Sequence, residues 1–83
     1  MGMVLKTELT DTFGGEANYS WVQRDVVELP EDASTRIIMR RAKGAALLAG
    51  VRGRWEDYGD QLTFRPYGRC VVLFVNVFAK QDG

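Results

Sequence analysis

Eighty-three residues, 46% of them apolar, make a single domain over 1–83 and too apolar a chain to stay disordered. Lys plus Arg equal Asp plus Glu at 11 each, which excludes a global field drawing the molecule to nucleic acid or to an anionic membrane. One cysteine allows no internal disulfide, and the absence of histidine removes the commonest general base and metal ligand.

Met3 to Thr10 alternates, with Met3, Leu5, Thr7 and Leu9 on one side and Lys6 and Glu8 on the other. That is the pattern of a half-buried strand. DTFGGEAN follows as a turn region in which Gly14 and Gly15 supply positive φ. The connection is short, so Tyr19 to Pro30 should return antiparallel. Gln23 and Asp25 interrupt the apolar parity of that second strand, and a bulge near them would relieve the conflict. FGGE could cradle an anion, but phosphate loops lead into a helix and this one leads into a strand.

Pro30 ends the strand, and Asp32 or Ser34 is placed to cap a helix. Ile38, Ala42, Ala45, Ala46 and Ala49 form its apolar stripe, and the helix is expected to reach about Ala49 with Gly50 at C′. Gly44 inside it suggests close approach to the sheet. Val51 to Glu56 gives a third strand, DYGD a turn, Gln61 to Arg65 a fourth strand, and RPYG a type I turn. The order is β-β-α-β-β-β, an α+β two-layer sandwich with one helix on a mainly antiparallel sheet.

The last stretch, Cys70 to Ala79, is β-branched and aromatic with no Gly or Pro. One face carries Cys70, Val72, Phe74, Asn76 and Phe78, the other Val71, Leu73, Val75 and Val77. Both are apolar apart from Asn76, so both need cover. A helix supplies one layer only. Two solutions remain for the second face: a sheet-on-sheet homodimer through Val71, Leu73, Val75 and Val77, or a sheet curved enough to cover itself with Trp21, Trp55 or Phe64. Asn76 argues for the opposite assignment of faces. Cys70, opening such a strand, reads as a small buried hydrophobe.

No catalytic constellation emerges. Glu56, Asp57 and Asp60 cluster at one turn without the ligand count of a calcium loop, and the serines have no base in a recognisable motif. Neither metal nor cofactor is expected, and the protein reads as a non-enzyme. The basic residues carry more. Arg36, Arg40 and Lys43 fall at i, i+4, i+7 along the solvent side of the helix, Arg41 flanks them, and Arg52 and Arg54 share a strand face. Tyr58 and Tyr67, both in turns, are the aromatics expected to be exposed beside them as interface anchors. These eight are the candidate partner-binding residues.

TDTFGGEANYSWVQR, with the later DYGD and RPYG, resembles a group of short uncharacterised proteins of bacteriophages and mobile elements, over most of the chain. The group brings no activity with it. What the resemblance implies is a role: a compact, cofactor-free protein in the cytoplasm of a bacterial host that inhibits a host protein or ribonucleoprotein complex by binding, as anti-CRISPR proteins do. The alternative is a nucleic-acid-binding accessory protein using the basic helix face. No run approaches the ~20 apolar residues of a membrane span, so no membrane partner is expected.

Overall fold

The computed structural model describes residues 2–79. Five antiparallel strands and one helix follow the chain as β1 (Gly2–Phe13), β2 (Glu16–Pro30), α1 (Thr35–Ala45), β3 (Gly53–Asp57), β4 (Gln61–Pro66) and β5 (Val71–Ala79). The strands lie in the order β2-β1-β5-β4-β3, so the last strand is the middle of the sheet. A strand flanked on both edges and apolar on both sides is the natural centre of such a sheet. The α+β two-layer architecture expected from the pattern is the one found.

Register decides the faces. β5 pairs with β1 through Leu5↔Val77, Thr7↔Val75 and Leu9↔Leu73, and with β4 through Leu62↔Val75 and Phe64↔Leu73. These residues share one side, and α1 lies against it: Ile38, Ala42, Ala46 and Leu48 pack with Leu5, Leu9, Leu29, Leu62, Phe64, Leu73 and Val75 in one core. Complete burial of a Leu or Phe side chain contributes roughly 1.5–3 kcal/mol, and Leu5, Leu73 and Phe64 are all sealed from solvent.

Ser34 is the N-cap, its Oγ accepting from the Ile37 amide at 3.3 Å. The helix ends earlier than its alanine stripe suggests, because a Schellman turn closes it. The Leu47 amide donates to Gly44 O at 3.1 Å and the Leu48 amide to Lys43 O at 2.7 Å. The left-handed residue of that turn is Leu47, at φ 60°, not Gly50. Gly44 is exposed with open space around it, so close approach to the sheet is not its reason.

β1 and β2 each run three residues further into the expected turn region than alternation alone suggests, and only Gly14 and Gly15 separate them, at φ 63° and 86°. The irregularity lies between Thr10 and Thr12, while Gln23 and Asp25 stay in register opposite Leu9 and Thr7. Thr10 Oγ1 donates to Trp21 O at 2.8 Å and accepts from the Tyr19 amide at 3.1 Å, with Tyr19 at φ 57°. Asp11 accepts from the Ser20 amide at 3.0 Å, the Ser20 hydroxyl and the Asn18 amide at 2.9 Å. Beyond this knot the hairpin tip bends over the outer side of the sheet, where Arg65 Nη1 donates to Gly15 O at 2.9 Å. Outward-facing Thr10 and Val72 lose all exposure there.

The outer face of β5 is therefore the one carrying Val72, Phe74, Asn76 and Phe78. Val71, Leu73, Val75 and Val77, expected as a homodimer face, lie beneath the helix, with Leu73 and Val75 fully buried. A second copy would have to displace α1 to reach them. Part of the outer face is covered by the chain itself, but by the hairpin tip. Trp55 and Phe64 sit on the helix side, and Trp21 is exposed. Cys70 is exposed as well, just before β5 begins.

Two glycines separate conformational from steric need. Gly44→Ala should stabilise the protein by about 1 kcal/mol, since Ala is the better helix former and meets nothing. At Gly53 a Cβ would lie 2.5 Å from Arg65 O and 2.7 Å from the Phe64 ring, so Gly53→Ala should destabilise by roughly 1–3 kcal/mol. Urea midpoints of the two variants should move in opposite directions.

The Asp11 knot gives a pH dependence. The Ser20 hydroxyl first and the Asn18 amide second hold its carboxyl far below its ordinary 3.8. A depressed carboxylate contributes stability that is complete above its unfolded value and is lost as pH falls below it. Asp11→Ala should lower the melting temperature at neutral pH, and the gap to the unaltered protein should shrink as pH is taken down from 3.8.

Candidate functional site

The charge distribution along the chain is uneven. From Ala33 to Trp55 there are six basic residues (Arg36, Arg40, Arg41, Lys43, Arg52 and Arg54) and all of the acidic residues lie outside that stretch. Folding brings three of the six around one half-buried aromatic ring. Trp55, inward-facing on the edge strand β3, lines two adjoining depressions at the C-terminal half of α1. One is shared with Lys43, Val51, Arg52, Phe64 and Tyr67, the other with Met39, Arg40, Lys43 and Ala49. Together they form a groove between the helix, the α1–β3 connection and the β4–β5 turn.

The walls are tied to one another. The Tyr67 amide donates to Arg52 O at 2.9 Å, which joins the β4–β5 turn to the entry of β3. Trp55 packs on Phe64 with ring centroids 4.8 Å apart at 36°, and Gly53 lets the Phe64 ring come close. Lys43 belongs to the floor. Its Nζ donates to Val51 O at 2.6 Å and stands 4.8 Å from the centroid of the Phe64 ring. It is half-buried, and among the described residues no carboxylate forms an ion pair with it, so its charge is held in place by the Val51 carbonyl.

Of the eight partner-binding candidates, Arg40, Lys43, Arg52 and Tyr67 come together at this groove. Arg36 continues the Arg40–Lys43 line one turn toward the helix N-terminus. Arg41 lies about 100° around the helix from Arg40, next to the core-facing residue Ala42. Arg54 and Tyr58 are elsewhere. Arg54 Nη2 is 3.6 Å from Glu56 and the Tyr58 hydroxyl donates to Glu56 at 3.0 Å, on the outer side of the sheet. Arg65 Nε completes that cluster at 3.0 Å from Glu56. Its hydrogen bond first, and that of Tyr58 second, hold the Glu56 carboxyl below its ordinary range, and Glu56 in turn pushes the Tyr58 phenol up. Tyr58 and Tyr67 are both exposed, but only Tyr67 faces the groove.

The acidic turn has internal uses. Glu56 serves the arginines, and Asp57 accepts from the Gly59 amide at 2.8 Å. Among the described residues, no group of three His, Cys, Asp or Glu is arranged to hold a metal ion, and no helix is long and apolar enough to cross a membrane.

No family model, curated protein or solved structure matches this chain. The groove offers fixed positive charge, two arginine forks and aromatic surface. Such a surface can hold an anion. The sequence reading missed Trp55 as a site residue, because an alternating tryptophan in a strand reads as core. The signal that could have found it was its position at the end of the acid-free stretch.

Lys43→Met should separate the held cation from the free ones. An apolar chain of similar length replaces the lysine, while a charge-assisted bond to Val51 O worth roughly 1.5–3 kcal/mol is lost. Arg40→Ala should change stability by no more than about 0.5 kcal/mol, because the side chain is exposed. Chemical denaturation of the two variants checks the contrast.

Proposed function

We propose that the chain is a non-enzymatic binding protein whose working surface is the groove beside Trp55 and whose partner is anionic where it docks. The observation that carries this reading is the convergence of Arg40, Lys43 and Arg52 on one aromatic-lined groove, from a stretch without a single acidic residue. Among the described residues, Arg40 and Arg52 make no ion pair or side-chain hydrogen bond, so both guanidinium groups are available. The likeness to phage and mobile-element proteins supports a host protein or ribonucleoprotein complex as the target, blocked by occupancy in the manner of an anti-CRISPR protein. The open arginines also favour a second reading, a nucleic-acid-binding accessory protein.

Affinity capture from host lysate, with the tagged protein and its Arg40→Glu/Arg52→Glu variant side by side, tests the surface. The unaltered protein should retain a stoichiometric complex that the variant loses while keeping its far-ultraviolet dichroism. Equal capture by both would remove the groove as the working surface. Nuclease treatment divides the readings: a resistant complex supports the inhibitor, and loss of every partner supports the accessory protein.

A further inference from the structure

We infer that the groove accepts single-stranded nucleic acid, with phosphates on Arg40, Lys43 and Arg52 and an unpaired base against Tyr67 and Trp55. The inference rests on the groove being the working surface and names what fills it, whether that strand is free or part of a ribonucleoprotein.

The cations are of two kinds, and a phosphodiester uses both. Lys43 is a point charge on the floor. One of its three protons is committed to Val51 O, and among the described residues no carboxylate pairs with the others. Arg40 and Arg52 stand exposed on either side, each a planar fork suited to a phosphate. An acidic peptide would satisfy these three groups equally well, so charge alone does not choose between them.

The rings choose. Trp55 has one side against Phe64 and the rest toward the groove, at half-buried depth. Tyr67 is 67% exposed on the rim, and its amide is fastened to Arg52 O, so ring and guanidinium belong to one wall. Aromatic surface set beside backbone-tracking cations is the arrangement that binds single strands with little sequence preference, since every base has a face to stack. A carboxylate-rich peptide has no group that needs those rings. A duplex keeps its bases stacked inside and offers a groove of this size only its phosphates.

Fluorescence anisotropy with labelled oligo(dT) and oligo(U) of ~15 nucleotides tests this, with a duplex of the same length and poly-L-glutamate as comparison probes. Both single strands should bind at ~50 mM salt, with log K falling against log[salt] by about 2, from three contacts at about 0.7 each. Arg40→Ala/Arg52→Ala should bring the slope to about −0.7 and weaken binding at least about tenfold. Tyr67→Ala should weaken binding by roughly five- to a hundredfold and leave the slope alone. The duplex should bind less tightly than either single strand. All of these changes are at exposed side chains, and dichroism confirms that the fold is kept.

Failure of both single strands to bind, a duplex bound as tightly, an unchanged slope in the arginine variant or indifference to Tyr67→Ala would each overturn the inference. Arginine-dependent binding of poly-L-glutamate without either oligonucleotide would also overturn it, and would leave the groove standing as an acidic-protein site. Should no probe bind and lysate capture survive Arg40→Glu/Arg52→Glu, the inference and the reading beneath it fall together.

Discussion

Burial of β5 on both sides is the constraint on which the rest of the structure depends. A nine-residue strand with apolar side chains on each face cannot lie at the edge of a small sheet without wetting one of them. The fold answers with two unlike covers. On one side α1 lays Ile38 and Ala42 over Leu73 and Val75. On the other, the β1–β2 hairpin bends and lays its tip across the sheet as far as Arg65, sealing Val72. The second cover needs a sharp bend in a long hairpin, and that bend is where the chain concentrates side-chain bonds to backbone. Thr10 and Asp11 together engage Asn18, Tyr19, Ser20 and Trp21, and Tyr19 accepts a left-handed conformation there. A positive φ in a bulky residue carries a cost of order 1 kcal/mol and persists only where its surroundings hold it.

How much of this was legible follows from range. Local signals read correctly: the Gly14–Gly15 turn, Ser34 as one of two cap candidates, the element order and the need of the last strand for cover on both faces. Each rests on a few neighbouring residues or on period-two alternation. The faces of β5 did not read, because both are apolar and the deciding information is the pairing of Leu5 with Val77 and of Phe64 with Leu73, residues far apart in sequence. The end of the helix was misplaced for a different reason. Alanine and leucine continue past Ala45 with good helical propensity, and the chain stops the helix with a leucine where a glycine is the usual choice.

The site divided along the same line. Helical spacing alone put Arg36, Arg40 and Lys43 on one line, and that line does border the groove. Strand proximity suggested that Arg52 and Arg54 act together, and they do not. Arg54 is in the sheet, where its cross-strand neighbour Arg65 and its own Glu56 make a closed cluster with Tyr58. Arg52 precedes β3, outside that register, and lines the groove. One residue of offset from the start of a strand separates a neutralised arginine from an open one.

The same separation recurs among the described residues. Arg24 pairs with Glu8, and Arg54 and Arg65 with Glu56, all from strands. The helix has no equivalent, because no acidic residue stands three or four positions from Arg40, Arg41 or Lys43. Arg36 and Arg40, four apart, repel each other by a few tenths of a kcal/mol. Two further unfavourable choices follow: Gly44 in open space within the last turn, and Leu47 left-handed and 81% exposed just past the helix end. None of the three improves the fold, and each has an ordinary replacement that would. Local choices that oppose stability mark a segment whose sequence is not set by helix formation alone. The same segment would be a poor solution if its only task were to cover β5.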